Sequence, residues 1–215
     1  MAKEYKITIL TNQSSWMNKY DLELKNALER LGHHVKIIHS KKELEKGDIA
    51  FFLSCFEIVS EEYLVLNNHN IVVHASDLPK GKGWSPTSWQ ILEGKNEIPI
   101  TLFEAVKEMD AGDYYVKDVL KLDGSELIDE WQEKLGQKIV DMCLKYVRNY
   151  ETILGTKQLG KESIYSRRTP ADSELDVDKT IREQFNLLRI VDNDNYPAFF
   201  EMHGHKYSLQ ISKVK

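Results

Sequence analysis

A histidine closing one apolar run and an aspartate opening a tight turn after another are the residues of this chain best suited to proton chemistry. His74 ends the run 70–74 and begins His74-Ala75-Ser76-Asp77-Leu78-Pro79. Asp110 begins Asp110-Ala111-Gly112-Asp113, an acid–Ala–Gly–acid pattern that makes a turn with an exposed carboxylate. An imidazole that titrates near neutrality, beside a carboxylate that orients it and stabilises its charged form, is a common acid–base unit. Taken singly each has a plainer explanation: the histidine caps its strand and the aspartate makes its turn. Together they gain weight, because sites in parallel α/β sheets form beyond the carboxyl ends of the strands.

Positioning them requires a sheet. Short apolar runs at 6–10, 35–38, 48–54, 70–74 and 98–104 read as strands, and 48–54 is apolar on both faces. Leu24, Ala27, Leu28 and Leu31 fall on one helix face that Gly32 ends, and 86–94 reads as a short helix. Continuous apolar strands alternating with helices predict a mainly parallel sheet covered on both sides, an α/β Rossmann-like fold. Residues 113–120 read as a strand or extended arm. A long helix follows, with Ile128, Trp131, Leu135, Ile139, Met142 and Tyr146 on one face and Asp123 and Glu126 as a capping box. Weak periodicity predicts a surface linker over 155–178, then a helix over 180–190 and a hairpin of 199–202 with 206–211 around His203-Gly204-His205. The expected organisation is a catalytic domain over 1–150 and a linker with a small α+β extension over 151–215.

Composition narrows the function. The 41% apolar content supports a real core, and a net charge of −5 lacks the basic surplus that nucleic-acid binding draws on. Cys55 and Cys143 are far apart and read as reduced thiols, and no His/Cys spacing suggests a metal. With no signal peptide before the first strand and no membrane-length apolar stretch, a cytoplasmic protein is expected. The loop after the first strand, Thr11-Asn12-Gln13-Ser14-Ser15, carries neither a dinucleotide fingerprint nor a P-loop. His33, His34 and His39 read as exposed turn and strand residues.

The order of the motifs carries a resemblance. His74 to Pro79, Gly83, Pro86, Trp89-Gln90-Ile91-Leu92-Glu93-Gly94, Ile100-Thr101-Leu102 and Met109-Asp110-Ala111-Gly112-Asp113 together resemble the formyltransferases that use N10-formyltetrahydrofolate. Their usual pattern is Asn-x-His-x-Ser-Leu-Leu-Pro followed by an aspartate in a D-x-G-D-like turn. The resemblance resumes at Tyr165-Ser166-Arg167-Arg168-Thr169-Pro170-Ala171-Asp172, Leu175-Asp176, Arg189 and Pro197-Ala198-Phe199, like the linker of methionyl-tRNA and sugar-nucleotide formyltransferases.

What the resemblance implies is transfer of a formyl group to an amine, with His74 and Asp110 as catalytic residues. The family's asparagine is replaced by Val72; Asn70 is the nearest amide, about 13 Å from His74 along a strand rising about 3.3 Å per residue. Asp77 stands where the family has leucine. The pterin of N10-formyltetrahydrofolate would lie against backbone groups from Phe103, Glu104 and Ala105 onward, near Leu78 and Pro79. Ser76, Lys80, Lys82, Gly83 and Trp84 would meet the acceptor, a lysine pairing with pyrophosphate. The small extension, the acidic charge and Lys80-Gly81-Lys82-Gly83-Trp84-Ser85-Pro86 favour a nucleotide sugar, with a UDP-linked 4-amino-4,6-dideoxy sugar as first choice, over nucleic acid or membrane. A formyltetrahydrofolate hydrolase and a catalytically weakened folate or nucleotide-sugar binding protein are the competing readings. The C-terminal hairpin offers strand edges for a homodimer.

Overall fold

Six strands form the central sheet of the computed structural model, which describes residues 3–214. The chain runs β1 (Lys6–Leu10), α1 (Asn18–Arg30), β2 (His34–Ile38), β3 (Gly47–Phe52), a single helical turn α2 (Glu61–Leu64), β4 (Asn67–His74), the two-residue β5 (Lys82–Gly83), α3 (Pro86–Leu92), β6 (Glu97–Glu104), β7 (Tyr114–Lys121) and α4 (Ile128–Arg148). It continues through β8 (Ile164–Tyr165), α5 (Ile181–Leu188), β9 (Ala198–Met202) and β10 (His205–Leu209). The sheet order is β2-β1-β3-β4-β6-β7. β1 to β4 are mutually parallel, as expected for a Rossmann-like α/β fold. β6 is antiparallel to β4, with Ile71 opposite Glu104 and His74 opposite Thr101. The carboxyl end of β6 therefore does not lie beyond His74, as a fully parallel sheet would place it.

The two faces of the sheet are covered unequally. Ile7, Ile9, Ile49, Phe51, Leu53 and Ile71 pack with Leu24 and Leu28 of α1 and Leu135, Ile139 and Tyr146 of α4. Each such buried side chain contributes about 1.5–3 kcal/mol. Gly136 is needed where the helices meet, since a Cβ there would lie 2.4 Å from the Tyr20 ring. On the opposite face Leu10, Ile38, Leu44, Ala50 and Phe52 form a smaller cluster, with Val72, Leu64 and Ala105 at its margin. Strand alternation puts His74 on this thinly covered face with Val72 and Asn70.

Two sequence expectations are corrected by packing. Glu126 does accept the Asp123 N–H (2.9 Å), but α4 starts at Ile128, and Glu130 accepts the Leu127 N–H (2.8 Å) at its true start. Glu126 instead faces Arg189, which is 1% exposed and donates to the Glu126 carbonyl (3.2 Å), the Glu126 carboxylate (3.5 Å), Asn96 (3.1 Å) and Asn186 (3.1 Å). The Arg189 carbonyl in turn accepts from Trp131 Nε1 at 3.0 Å, so one buried residue ties the extension to the sheet domain. Residues 155–178, expected as a linker, form β8, which pairs in parallel with β5, and a 3-10 turn at Pro170–Ser173. The hairpin forms with His203 (φ 52°) and Gly204 (φ 76°) at its tip, the left-handed pair of a type I′ turn. Phe199 of β9 accepts the Leu175 N–H (2.6 Å), which engages that side of the hairpin. Among the described residues, no helix is long and apolar enough to cross a membrane.

Asp21, in the first turn of α1, is fully buried, and among the described residues neither of its oxygens has a hydrogen-bond partner. Burial pushes its carboxyl up to about 7, against smaller opposite pulls from the Thr11 hydroxyl and from His39. Between the ordinary value of 3.8 and about 7 the folded state holds a proton that the unfolded chain has lost, so stability falls as pH rises through that window. Urea titrations across it should show that fall in the wild type and a flatter profile in Asp21→Asn; equal slopes would contradict the assignment. Arg189→Leu, which leaves the Glu126 carboxylate without its buried partner, should lower unfolding free energy by about 3 kcal/mol. A loss below about 1 kcal/mol would mean that Lys134, which also reaches Glu126, carries the pairing alone.

Candidate active site

His74 sits at the end of β4, 9% exposed, with Nε2 2.8 Å from the Gly81 carbonyl oxygen. A carbonyl only accepts, so Nε2 carries the proton, which in the neutral form of the ring leaves Nδ1 as an acceptor. The loop returns to the ring because Gly81 adopts φ +70° and leaves no room for a side chain: a Cβ would lie 2.8 Å from the Tyr165 ring and 3.0 Å from Ser76 Cβ.

Asp110 arrives from the other direction. Since β6 runs against β4, the segment after Glu104 folds back, and Asp110 takes a left-handed backbone (φ 53°) within it. Its Oδ2 accepts the Gly83 N–H at 2.9 Å. Gln158 donates from one amide nitrogen to the Asp110 carbonyl (3.1 Å) and the Gly112 carbonyl (2.8 Å). Gly112 is required by contact, because a Cβ would fall 1.8 Å from the Glu104 carbonyl oxygen. His74 and Asp110 thus hold the two ends of one three-residue strip, Gly81 to Gly83. On its outer side the strip is paired with the 163–165 segment: Lys82 N–H donates to Ser163 O (2.9 Å) and Trp84 N–H to Tyr165 O (3.2 Å).

The remaining expected residues divide. Trp84 borders the strip, with the Phe56 ring 5.9 Å away and the Arg167 guanidinium 4.9 Å from its centroid. Lys80 is exposed. Lys82 is not free for pyrophosphate: its buried ammonium is 2.7 Å from the Glu162 carboxylate. Ser76 is 1% exposed, and its carbonyl accepts from Thr101. Asn70 points its amide at the Leu64 carbonyl (2.8 Å) and so anchors α2, four residues short of His74. Leu78 and Phe103 are buried, and Leu78 precedes Pro79 through a cis peptide. The Glu104 N–H is taken by the Asp113 carbonyl and the Ala105 N–H by the Asn70 carbonyl. No main-chain hydrogen bond is formed by 106–109 among the described residues, so the free backbone lies one step beyond the expected set. Asp77 pairs with Lys117 (2.6 Å), an ion pair where the family pattern has leucine.

Gln158 and Phe56 reach the site without having been singled out, and Tyr165 and Arg167, read only as part of the linker motif, reach it as well. Gln158, Tyr165 and Arg167 lie in the weakly periodic 155–178 segment, and Phe56 lies in a loop. Tyr165 stacks on Trp89 (9° between planes) and donates to Glu93 (2.8 Å), which holds the strip against α3.

Residues 10–144 match the family model described as formyl transferase. The chain belongs to the formyl transferase family. The formyl transferase chain is 28% identical over 199 residues to a methionyl-tRNA formyltransferase of Mycoplasma capricolum, covering 86% of this chain and 62% of that protein. It therefore spans under two thirds of the length of that relative. Its fold is similar to that of methionyl-tRNA formyltransferase from Clostridium thermocellum (TM-score 0.81, 22% identity, 98% of this chain and 94% of that one). It is also similar to that of a sugar N-formyltransferase from a Shewanella species (TM-score 0.70, 16% identity, 98% and 99%).

Proposed function

We propose that this protein transfers the formyl group of N10-formyltetrahydrofolate to the amine of a nucleotide-linked amino sugar, with a UDP-4-amino-4,6-dideoxy sugar as the first acceptor to test. The observation that carries the proposal is the Gly81-to-Gly83 strip with the His74 imidazole bonded at one end and the Asp110 carboxylate at the other. The donor supplies an activated formyl carbon. Support for its seat comes from the unbonded backbone of 106–109 and the exposed Val106 (39%) and Met109 (54%), which suit a flat ring with a hydrogen-bonding edge.

His74 Nδ1 takes the proton that the attacking amine loses as its nitrogen bonds to the formyl carbon, and the departing folate nitrogen receives a proton in exchange. Asp110 holds the strip that fixes the imidazole in place. With Val72 in place of the family's asparagine, polarisation of the formyl oxygen falls to main-chain N–H groups.

For the acceptor, Phe56, Trp84 and Arg167 form an aromatic and cationic surface beside the strip, suited to a base and its phosphates. Of the two lysines expected to meet the pyrophosphate, Lys80 is the exposed one and supplies a further cation. The net charge of −5 argues against tRNA.

The test is mass spectrometry of mixtures of N10-formyltetrahydrofolate with UDP- or dTDP-4-amino-4,6-dideoxy sugars or with methionyl-tRNA. A gain of one formyl group on a sugar nucleotide is expected, with His74→Ala slower by at least about 10²-fold. Formylation of methionyl-tRNA alone, donor consumption without acceptor, or an undiminished His74→Ala rate would each overturn the proposal.

A further inference from the structure

The neck of the Asp110 loop is held from the far side of the sheet. Glu104 is the last residue of β6, and its side chain shares the α4 face with that of its cross-strand partner Ile71. There its carboxylate accepts three hydrogen bonds: the Asn70 N–H (2.6 Å), His69 Nδ1 (2.8 Å) and the Tyr115 hydroxyl (2.8 Å). These donors come from β4 and β7, the two strands flanking β6. Tyr150 and Tyr115 set their rings edge-on to the His69 ring, at 5.5 and 6.0 Å. The hydrogen bond to Glu104 raises the His69 pKa, and burial, with the bond to Glu104 adding to it, raises that of Tyr115.

The cluster meets the site only through the main chain. Asn70, whose N–H bonds the Glu104 carboxylate, offers its carbonyl to the Ala105 N–H (2.6 Å). Glu104 donates its own N–H to Asp113 (2.9 Å), and Gly112 lies flat against the Glu104 carbonyl. Residues 106–109 form no main-chain hydrogen bond among the described residues, so the path of the loop up to Asp110 is set at this neck and at Asp110 itself.

We infer that Glu104 is a positioning residue for formyl transfer: its carboxylate, gripped by His69, Asn70 and Tyr115 on the α4 face, fixes the neck from which the loop carries Asp110 to the His74 strip. Glu104 touches no reactant and acts through Asp110. The inference rests on the formyl-transfer reading for its kinetic part, whereas its structural part is read without substrate.

Wild type, Glu104→Leu, Glu104→Gln and Tyr115→Phe are compared by hydrogen–deuterium exchange and by steady-state kinetics. In Glu104→Leu, exchange of the neck amides of residues 104 and 105, and of the Gly83 amide held by Asp110, should quicken about tenfold while 74–82 and α4 stay unchanged. The kcat should fall about tenfold with the acceptor KM within about twofold, because a misplaced catalytic group costs rate before affinity. Glu104→Gln keeps an acceptor for the Asn70 N–H and should recover part of both effects. Tyr115→Phe removes one donor at constant shape and should shift exchange of the Glu104, Ala105 and Gly83 amides in the same direction, which keeps the test open if Glu104→Leu does not fold. Unchanged exchange at residues 104, 105 and 83 in the folded variants overturns the inference, as does exchange that rises evenly across the sheet. Selective quickening in a protein that transfers no formyl group supports the positioning role and overturns the formyl-transfer reading instead.

Discussion

The hydrogen bond from the Gly83 amide to the Asp110 carboxylate, at 2.9 Å, joins two loops that the sheet itself sends apart. His74 leaves the end of β4, while β6 runs the other way and delivers its loop level with Ile71. Nothing in the ladder between β4 and β6 brings an acid to the histidine. The acid arrives because its loop folds back and because Gly83, with φ +95°, presents its N–H there while the flanking Lys82 and Trp84 amides pair with 163–165. A Cβ on Gly83 would stand 2.5 Å from the Tyr165 carbonyl oxygen, so this position is closed to any other residue. A charge-assisted bond of this kind is stronger than its neutral counterpart.

Around that bond the molecule uses segments outside the sheet as braces. Gln158 secures the Asp110 turn, Ser163 and Tyr165 line the outer side of the strip, and Tyr165 stacks on Trp89 of α3. Arg189 fastens the extension to the start of α4. The part of the chain with the least internal periodicity therefore has a definite task. Too small for a large core of its own, it borrows its order from the site loops and returns rigidity to them.

Much of this was legible in the sequence, for identifiable reasons. The strands of the sheet are short apolar runs, and His74 ends one of them, so topology alone made it a candidate. Asp110 stood out through its turn residues. Strand direction was not legible, since an apolar run such as 98–104 carries no polarity and β6 proved antiparallel. The two-residue β5 and β8 are too short to leave any pattern. Lys80 and Lys82 look alike in sequence; only Glu162, 80 residues away, takes Lys82 out of play. Glu126 keeps its local bond to the Asp123 N–H, but Glu130 bonds the true start of α4, and the arginine 63 residues distant that Glu126 also meets leaves no local sign. The Lys82 and Glu126 cases share an origin, a long-range partner that no local pattern reveals.

Amide exchange at Gly83, followed by NMR in wild type and Asp110→Ala, tests the joining of the loops most directly. Lys82 and Trp84 donate to main-chain carbonyls of 163–165, while Gly83 donates to the Asp110 side chain. Removing that carboxylate should therefore speed exchange at Gly83 alone and leave Lys82 and Trp84 protected. Equal protection of all three amides in the variant would show that Asp110 does not hold the His74 loop, and the site as described would not stand.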